Sequence, residues 1–167
     1  MYQINDLVVY NNGEVCSIFN IGVPDFVDNG EMHYILKPVN KSTSTIYVKM
    51  SSPELPFRYT ISQTEALAFL ETYPSMEPMY HENNKIREKE YLEAFRACHP
   101  KQWLRIYKGI TIERKRKASI GKQLNTNDDR NLHKVEKYLS SEFASTLKIS
   151  TDEALHLLME SMFASMP

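Results

Sequence analysis

FRYTISQTEALAFL, residues 57–70, is where the chain changes character. Before it, apolar residues come in short runs rich in Val, Ile and Tyr. After it, they recur at helical spacing. Within it, Ile61 to Glu65 has the form of a capping box. Ser62 would accept from the backbone of Glu65, Glu65 would reach back, and Ile61 would staple against Ala66. Ala66, Leu67 and Leu70 then give a helix an apolar stripe that stops near Pro74. The stretch predicts an α+β chain, strands first and helices after.

Upstream, LVVY (7–10), EVCSIFNIG (14–22), MHYILKPV (32–39) and STIYVKM (44–50) read as strands. Turn residues separate them: Asn11-Asn12-Gly13, Asp28-Asn29-Gly30 and Asn40-Lys41-Ser42. Pro53, Pro56 and Phe57-Arg58 lead out of the β part. Four or five short strands cannot bury two faces as an open sheet, so a small, strongly bent barrel is expected.

Downstream, PSMEPMYHE (74–82) has two prolines and reads as a boundary between modules. The expected division is therefore a β module at 1–60, a connecting helix at 61–74 and a helical domain at 75–167. In that domain Tyr91, Ala94, Phe95 and Cys98 mark one buried face. Pro100 suits a helix first turn, with His99 as its cap. Trp103, Tyr107 and Ile110 share a stripe on that helix. Trp103 is the only tryptophan and sits in a basic region, yet its spacing predicts burial. Its removal is expected to cost ~3–5 kcal/mol, as for other buried aromatics. A third helix begins at Thr126 to Asp129, with Leu132, Val135, Leu139 and Phe143 inside. Ser150 to Glu153 forms a second capping box, before Leu155, Leu158, Met159 and Met162. The Met-rich end LLMESMFASMP (157–167) reads as the last packed helix, or as an interface. The helices should form an antiparallel bundle.

The 167 residues are 42% hydrophobic and 25% charged, the composition of an ordinary globular protein. The longest apolar runs are far short of the roughly 20 residues a membrane span needs. MYQINDLVVY lacks a basic start followed by an apolar block, so no secretory signal is expected. Cys16 and Cys98 stand far apart, outside any CxxC pattern. They are expected to be buried thiols in a reducing, cytoplasmic setting.

A net charge of −1 hides an asymmetry. Residues 81–124 hold 12 Lys and Arg against 5 Asp and Glu, a local net of +7. Charge acts over a Debye length of ~8–10 Å, so this segment can attract a polyanion although the whole chain cannot. Nine of the twelve fall in two groups. Lys85, Arg87 and Lys89 crowd a helix start, followed later by Arg96. Arg114 to Lys117 and Lys122 crowd a helix end and its exit loop. The helix dipole partly explains cations at a C-terminus but disfavours them at an N-terminus. The first group is therefore the more informative, and phosphate would supply its counter-charge.

Catalytic signatures are missing. No GxxxxGK[ST], GxGxxG or GxSxG stretch occurs, and five glycines leave little room for one. The histidines 33, 81, 99, 133 and 156 form no HxxxH pair and read as surface or capping groups. Asp128 and Asp129 read as complements of a helix N-terminus. Neither an enzyme nor a cofactor or small-molecule substrate is expected.

The ordered series of motifs resembles the CarD/CdnL-type bacterial transcription regulators over about residues 1–147. Ile4 to Tyr10 is similar to the family's opening x-G-D-x-V-V-Y-P, and Gly13 and Ile18 match its H-G-x-G-x-I. Tyr34-Ile35-Leu36 and Ile46-Tyr47-Val48 resemble its second strand pair. Phe57-Arg58 matches the exit from its β module. Leu92 to Phe95, Trp103 to Ile110, Leu124, Asp128 to Leu132 and Leu139 to Phe143 follow its helical pattern. The resemblance implies a Tudor-like (SH3-like) five-stranded barrel docking on the RNA polymerase β subunit. It also implies a helical domain that contacts promoter DNA without sequence preference and stabilises the open complex. The polymerase-facing strand falls on Ile46, Tyr47, Val48 and Lys49, with Tyr47 where some members have arginine.

DNA contact carries over to Asn84, Lys85, Ile86, Arg87 and Lys89. A tryptophan wedges into the minor groove in the family, and its position is Asn84 here. Asparagine can hydrogen-bond there but cannot fill an unstacked step. Ile86, where the family has arginine, or Tyr80 takes the apolar role, or the wedge is absent; absence is the expectation. The second reading is a protein-only adaptor, in which the basic helices are merely solvated.

Overall fold

The computed structural model describes residues 1–40 and 43–164. Lys41 and Ser42 of the expected third turn, and the last three residues of the Met-rich end, lie outside the described residues. The chain divides into two compact units, one covering Met1–Ile61 and one from Ser62 onward.

The first unit is a five-stranded antiparallel sheet: β1 (Leu7–Tyr10), β2 (Val15–Gly22), β3 (His33–Pro38), β4 (Ile46–Lys49) and β5 (Phe57–Tyr59). The order is β4-β3-β2-β1-β5. Two of the turns have a local cause in glycine. At Gly13, φ is +80° and the N–H donates to Tyr10 O at 2.8 Å. Gly30 stands at φ +73°, again in the region glycine enters without cost. A bulge between Ile18 and Asn20 breaks the β2–β3 register, and bulges bend the strand that carries them. The bent sheet gathers Val8, Cys16, Ile18, Tyr34, Leu36, Val48 and Phe57 into one core.

Two expectations change here. The sheet is not a closed barrel: β4 and β5 are its two edges and do not pair. β4 pairs only with β3 and β5 only with β1 among the described residues. Phe57-Arg58 is not merely an exit, because Val9 pairs with Arg58 and Tyr10 with Phe57.

The second unit holds α1 (Gln63–Thr72), a 3₁₀ turn at Tyr73–Ser75, α2 (Asn84–Ala97), α3 (Pro100–Ser119), α4 (Thr126–Leu147) and α5 (Thr151–Met162). Ser62 and Glu65 form the expected reciprocal capping box. His99 caps α3, its ring nitrogen accepting from Lys101 N at 3.2 Å. Ser150 caps α5. Trp103 is fully buried and meets Tyr138 edge-on, with ring centroids 5.1 Å apart.

The expected boundary at 74–82 is not one. α1 packs on α4 and α5, so it belongs to the helical unit rather than connecting two modules. The segment after it is stitched to α3. Lys108 Nζ donates to the carbonyls of Tyr73, Pro74 and Met76 at 3.1, 2.8 and 2.8 Å. Arg105 Nε donates to Glu77 O, and Met79 N–H donates to Arg105 O. Gly109 allows this approach: a Cβ there would lie 2.4 Å from Met79 O. The prolines remove backbone donors, and α3 side chains satisfy the stranded carbonyls instead.

Candidate nucleic-acid interface

α2 starts at Asn83, whose side chain accepts from Ile86 N–H at 3.1 Å. One helical turn on, Arg87 points inward and is 1% exposed. Its Nε and one Nη2 proton go to Asp128 Oδ1 and Oδ2, each at 2.9 Å. The other Nη2 proton goes to Asn84 Oδ1 at 2.6 Å. Nη1 donates to His81 O at 2.6 Å and Glu82 O at 3.4 Å. A guanidinium has five N–H groups, and all five have a protein acceptor.

Asp128 comes from α4, where Asn125 caps the helix by accepting from Asp128 N–H at 2.8 Å. Tyr80 closes the cluster: its ring lies 4.4 Å from the Arg87 guanidinium carbon and its hydroxyl donates to Asp128 Oδ2 at 3.2 Å. Burial, with the Asp128 charge, pushes the Tyr80 phenol up to about 12. Such a paired, fully hydrogen-bonded cluster is the form in which buried charge persists.

Arg87 therefore does not serve as the expected phosphate contact. Its charge is neutralised by Asp128 and its donors are filled. Asn84 is exposed, but its carbonyl oxygen belongs to the same network. Tyr80, half-buried and committed to Asp128, is no wedge. Lys85 and Lys89 are exposed, and Ile86 beside them is 44% exposed. These three remain available on the outer face of α2.

The fold brings a further group to the Asn84 end of α2. Tyr80, Glu82, Asn84, Glu113, Arg116, Lys117 and Asn125 line an open cleft of about 560 Å³. The expected site thus meets the second basic run across three elements. Arg116 grips Glu113 with two hydrogen bonds of 2.9 and 2.5 Å, which holds the Glu113 carboxyl below the usual range. Two helix N-termini, of α2 and α4, reach the same rim through Asn84 and Asn125, and their dipoles add positive potential.

In the first unit, the four residues expected to face the polymerase form the edge strand β4. Val48 turns into the core, while Tyr47 and Lys49 face out. Tyr47 is 45% exposed and meets Phe26 edge-on at 4.9 Å; Phe26 is 65% exposed. Lys49 pairs with Glu31 at 3.1 Å. One side of β4 pairs with β3, and the other carries backbone groups with no strand beside them among the described residues.

Sequence reasoning missed Asp128, which reads locally as a helix-start acid. It also missed Phe26, an isolated aromatic in a loop. Arg116 and Lys117 could be set beside Asn84 only once α2 and α3 were placed. No protein-family model matches the chain, and no curated protein matches it.

Proposed function

We propose that the chain is a CarD-like transcription regulator. Its Tudor-like β unit pairs its β4 edge with the RNA polymerase β subunit, and its helical unit rests on promoter DNA and modulates open-complex stability. The observation that carries this reading is the open β4 edge with Tyr47 and Phe26 exposed beside it. Edge-to-edge pairing draws affinity from main-chain groups and specificity from the alternate outward side chains, here Tyr47 and Lys49. On the helical unit, Lys85 and Lys89 on the outer face of α2 supply sequence-independent phosphate contact. The role is non-catalytic.

Co-purification with RNA polymerase tests the docking, and open-complex lifetime with and without the protein tests the effect. Association together with a changed lifetime is expected. Neither one appearing would defeat the reading.

Arg87 favours the second reading, a protein-only adaptor, because the fold consumes the cation best matched to phosphate. Retained polymerase binding, with no shift of forked promoter DNA at low salt, would select the adaptor.

A further inference from the structure

The connection between α3 and α4 carries features that the α2 face does not explain. α3 ends in a Schellman-type turn: Gly121 N–H donates to Ala118 O at 3.1 Å and Lys122 N–H donates to Lys117 O at 2.8 Å. Gly121 supplies the required φ of +72°, and a Cβ there would meet nothing within 4 Å. Glycine serves the backbone here, not a close contact.

In this motif the residues joined by the outer hydrogen bond commonly make an apolar side-chain contact. Here both are lysine, Lys117 and Lys122. The turn thus brings two ammonium-bearing chains to one end of the helix, where an apolar pair would stabilise it better. The acid nearest Lys117 in sequence, Glu113, is engaged by Arg116, and the acid nearest Lys122, Asp128, is engaged by Arg87. Neither lysine forms an ion pair among the described residues. Ile120, between them in sequence, caps the helix and is 57% exposed. The run 114–122 holds five cations in nine residues with no acid between them.

Two lysines, with one exposed apolar side chain between them in sequence, suit the spaced phosphates and groove wall of a duplex. A bilayer surface fits less well, because binding there needs an apolar stripe along a helix and this turn has one isoleucine. We propose that the α3–α4 turn is a second contact for duplex nucleic acid. Lys117 and Lys122 hold the phosphate backbone, and Ile120 rests in the groove between them. The contact rests on the DNA half of the function proposed above and places part of it at this turn.

The test is binding of the full chain to a labelled random-sequence DNA duplex across a salt series. Wild type is compared with Lys117→Gln/Lys122→Gln, Ile120→Ala and Lys85→Ala/Lys89→Ala. Glutamine keeps helix propensity, so thermal midpoints should hold. The Lys117/Lys122 variant should lose about two units of salt slope, ~0.9 per phosphate contact, and at least about tenfold in low-salt affinity. Ile120→Ala should weaken binding several-fold with an unchanged slope. If wild type binds and the Lys117/Lys122 variant matches it in slope and affinity, the turn is overturned while the α2 face stands. If wild type does not bind duplex at any salt, both fall. Capture by phosphatidylserine vesicles, lost in the Lys117/Lys122 variant and without duplex binding, would assign the turn to a membrane surface and overturn the proposal.

Discussion

At the start of α2, Arg87 gives all five of its N–H groups to the protein. At the end of α3, Lys117 and Lys122 form no ion pair among the described residues. Both segments are runs of Lys and Arg, and the helix dipole makes the first look like the binding face. The structure separates them by what lies opposite. α4 delivers Asp128 to Arg87, whereas at the α3–α4 turn Arg116 takes Glu113 and neither lysine has an ion pair among the described residues. A cation's role follows from its counter-charge, and that is a tertiary property.

The harshest way to break this contrast is Arg87→Ala. It would leave Asp128 buried without its partner, and the helical unit should lose ~3–5 kcal/mol in chemical denaturation. Arg87→Met combined with Asp128→Leu should recover part of that loss, since an apolar pair needs no compensation. A mild effect of Arg87→Ala would mean that the ion pair is solvated and Arg87 is free after all.

Lys108 is the second buried cation, and it holds carbonyls rather than a carboxylate. Lys108→Met keeps the bulk and removes three donated bonds. About 2–3 kcal/mol should be lost, in the range for hydrogen bonds to charged groups. Protease cleavage within 74–82 should rise in parallel, which would confirm that this segment is held and is not a linker.

Gly109→Ala tests the same stitching from the other side. Alanine favours helix by ~1 kcal/mol, but its Cβ would collide with Met79 O. A net loss of ~1–3 kcal/mol is expected from overpacking, and net stabilisation would show that the segment yields.

Alkaline pH probes two tyrosines of the helical unit, half-buried Tyr80 beside Arg87 and buried Tyr107 on α3. Burial pushes the Tyr80 and Tyr107 phenols up to about 12 from an ordinary value of 10.0. An acid whose folded pKa is raised stabilises the fold while neutral. The unfolded chain ionises first, so stability should fall as pH rises from about 10 to about 12. Tyrosinate absorbance tracked together with helix content should show the two changes coupled.

The smallest stability effect belongs to Lys85→Ala/Lys89→Ala. Both side chains are exposed, so stability should move by no more than ~0.5 kcal/mol. Loss of duplex affinity at unchanged stability would mark α2's outer face as a contact, in contrast to Arg87 in its first turns.

Local signals were legible because their causes are local. The capping box at Ser62, the cap at His99, the glycine turns and the period-3.6 stripe around Trp103 all rest on residues within a turn of each other. The candidate site was legible only in part. Lys85 and Lys89 are exposed on α2, while β4 lies at a sheet edge that the expected barrel would have closed. The place of Arg87 was not legible, because its partner lies 41 residues away on α4. Nor was that of segment 74–82, because prolines announce a break in helix and cannot say what the freed carbonyls will meet.

By itself, then, the sequence determined the element types, their order and most helix ends, through propensity, capping and periodicity. Tertiary structure decided which basic residues face out, where the units divide and whether the sheet closes. Those outcomes depend on long-range partners such as Asp128, Lys108 and Gly109, and pairing across space leaves no periodic trace in a chain.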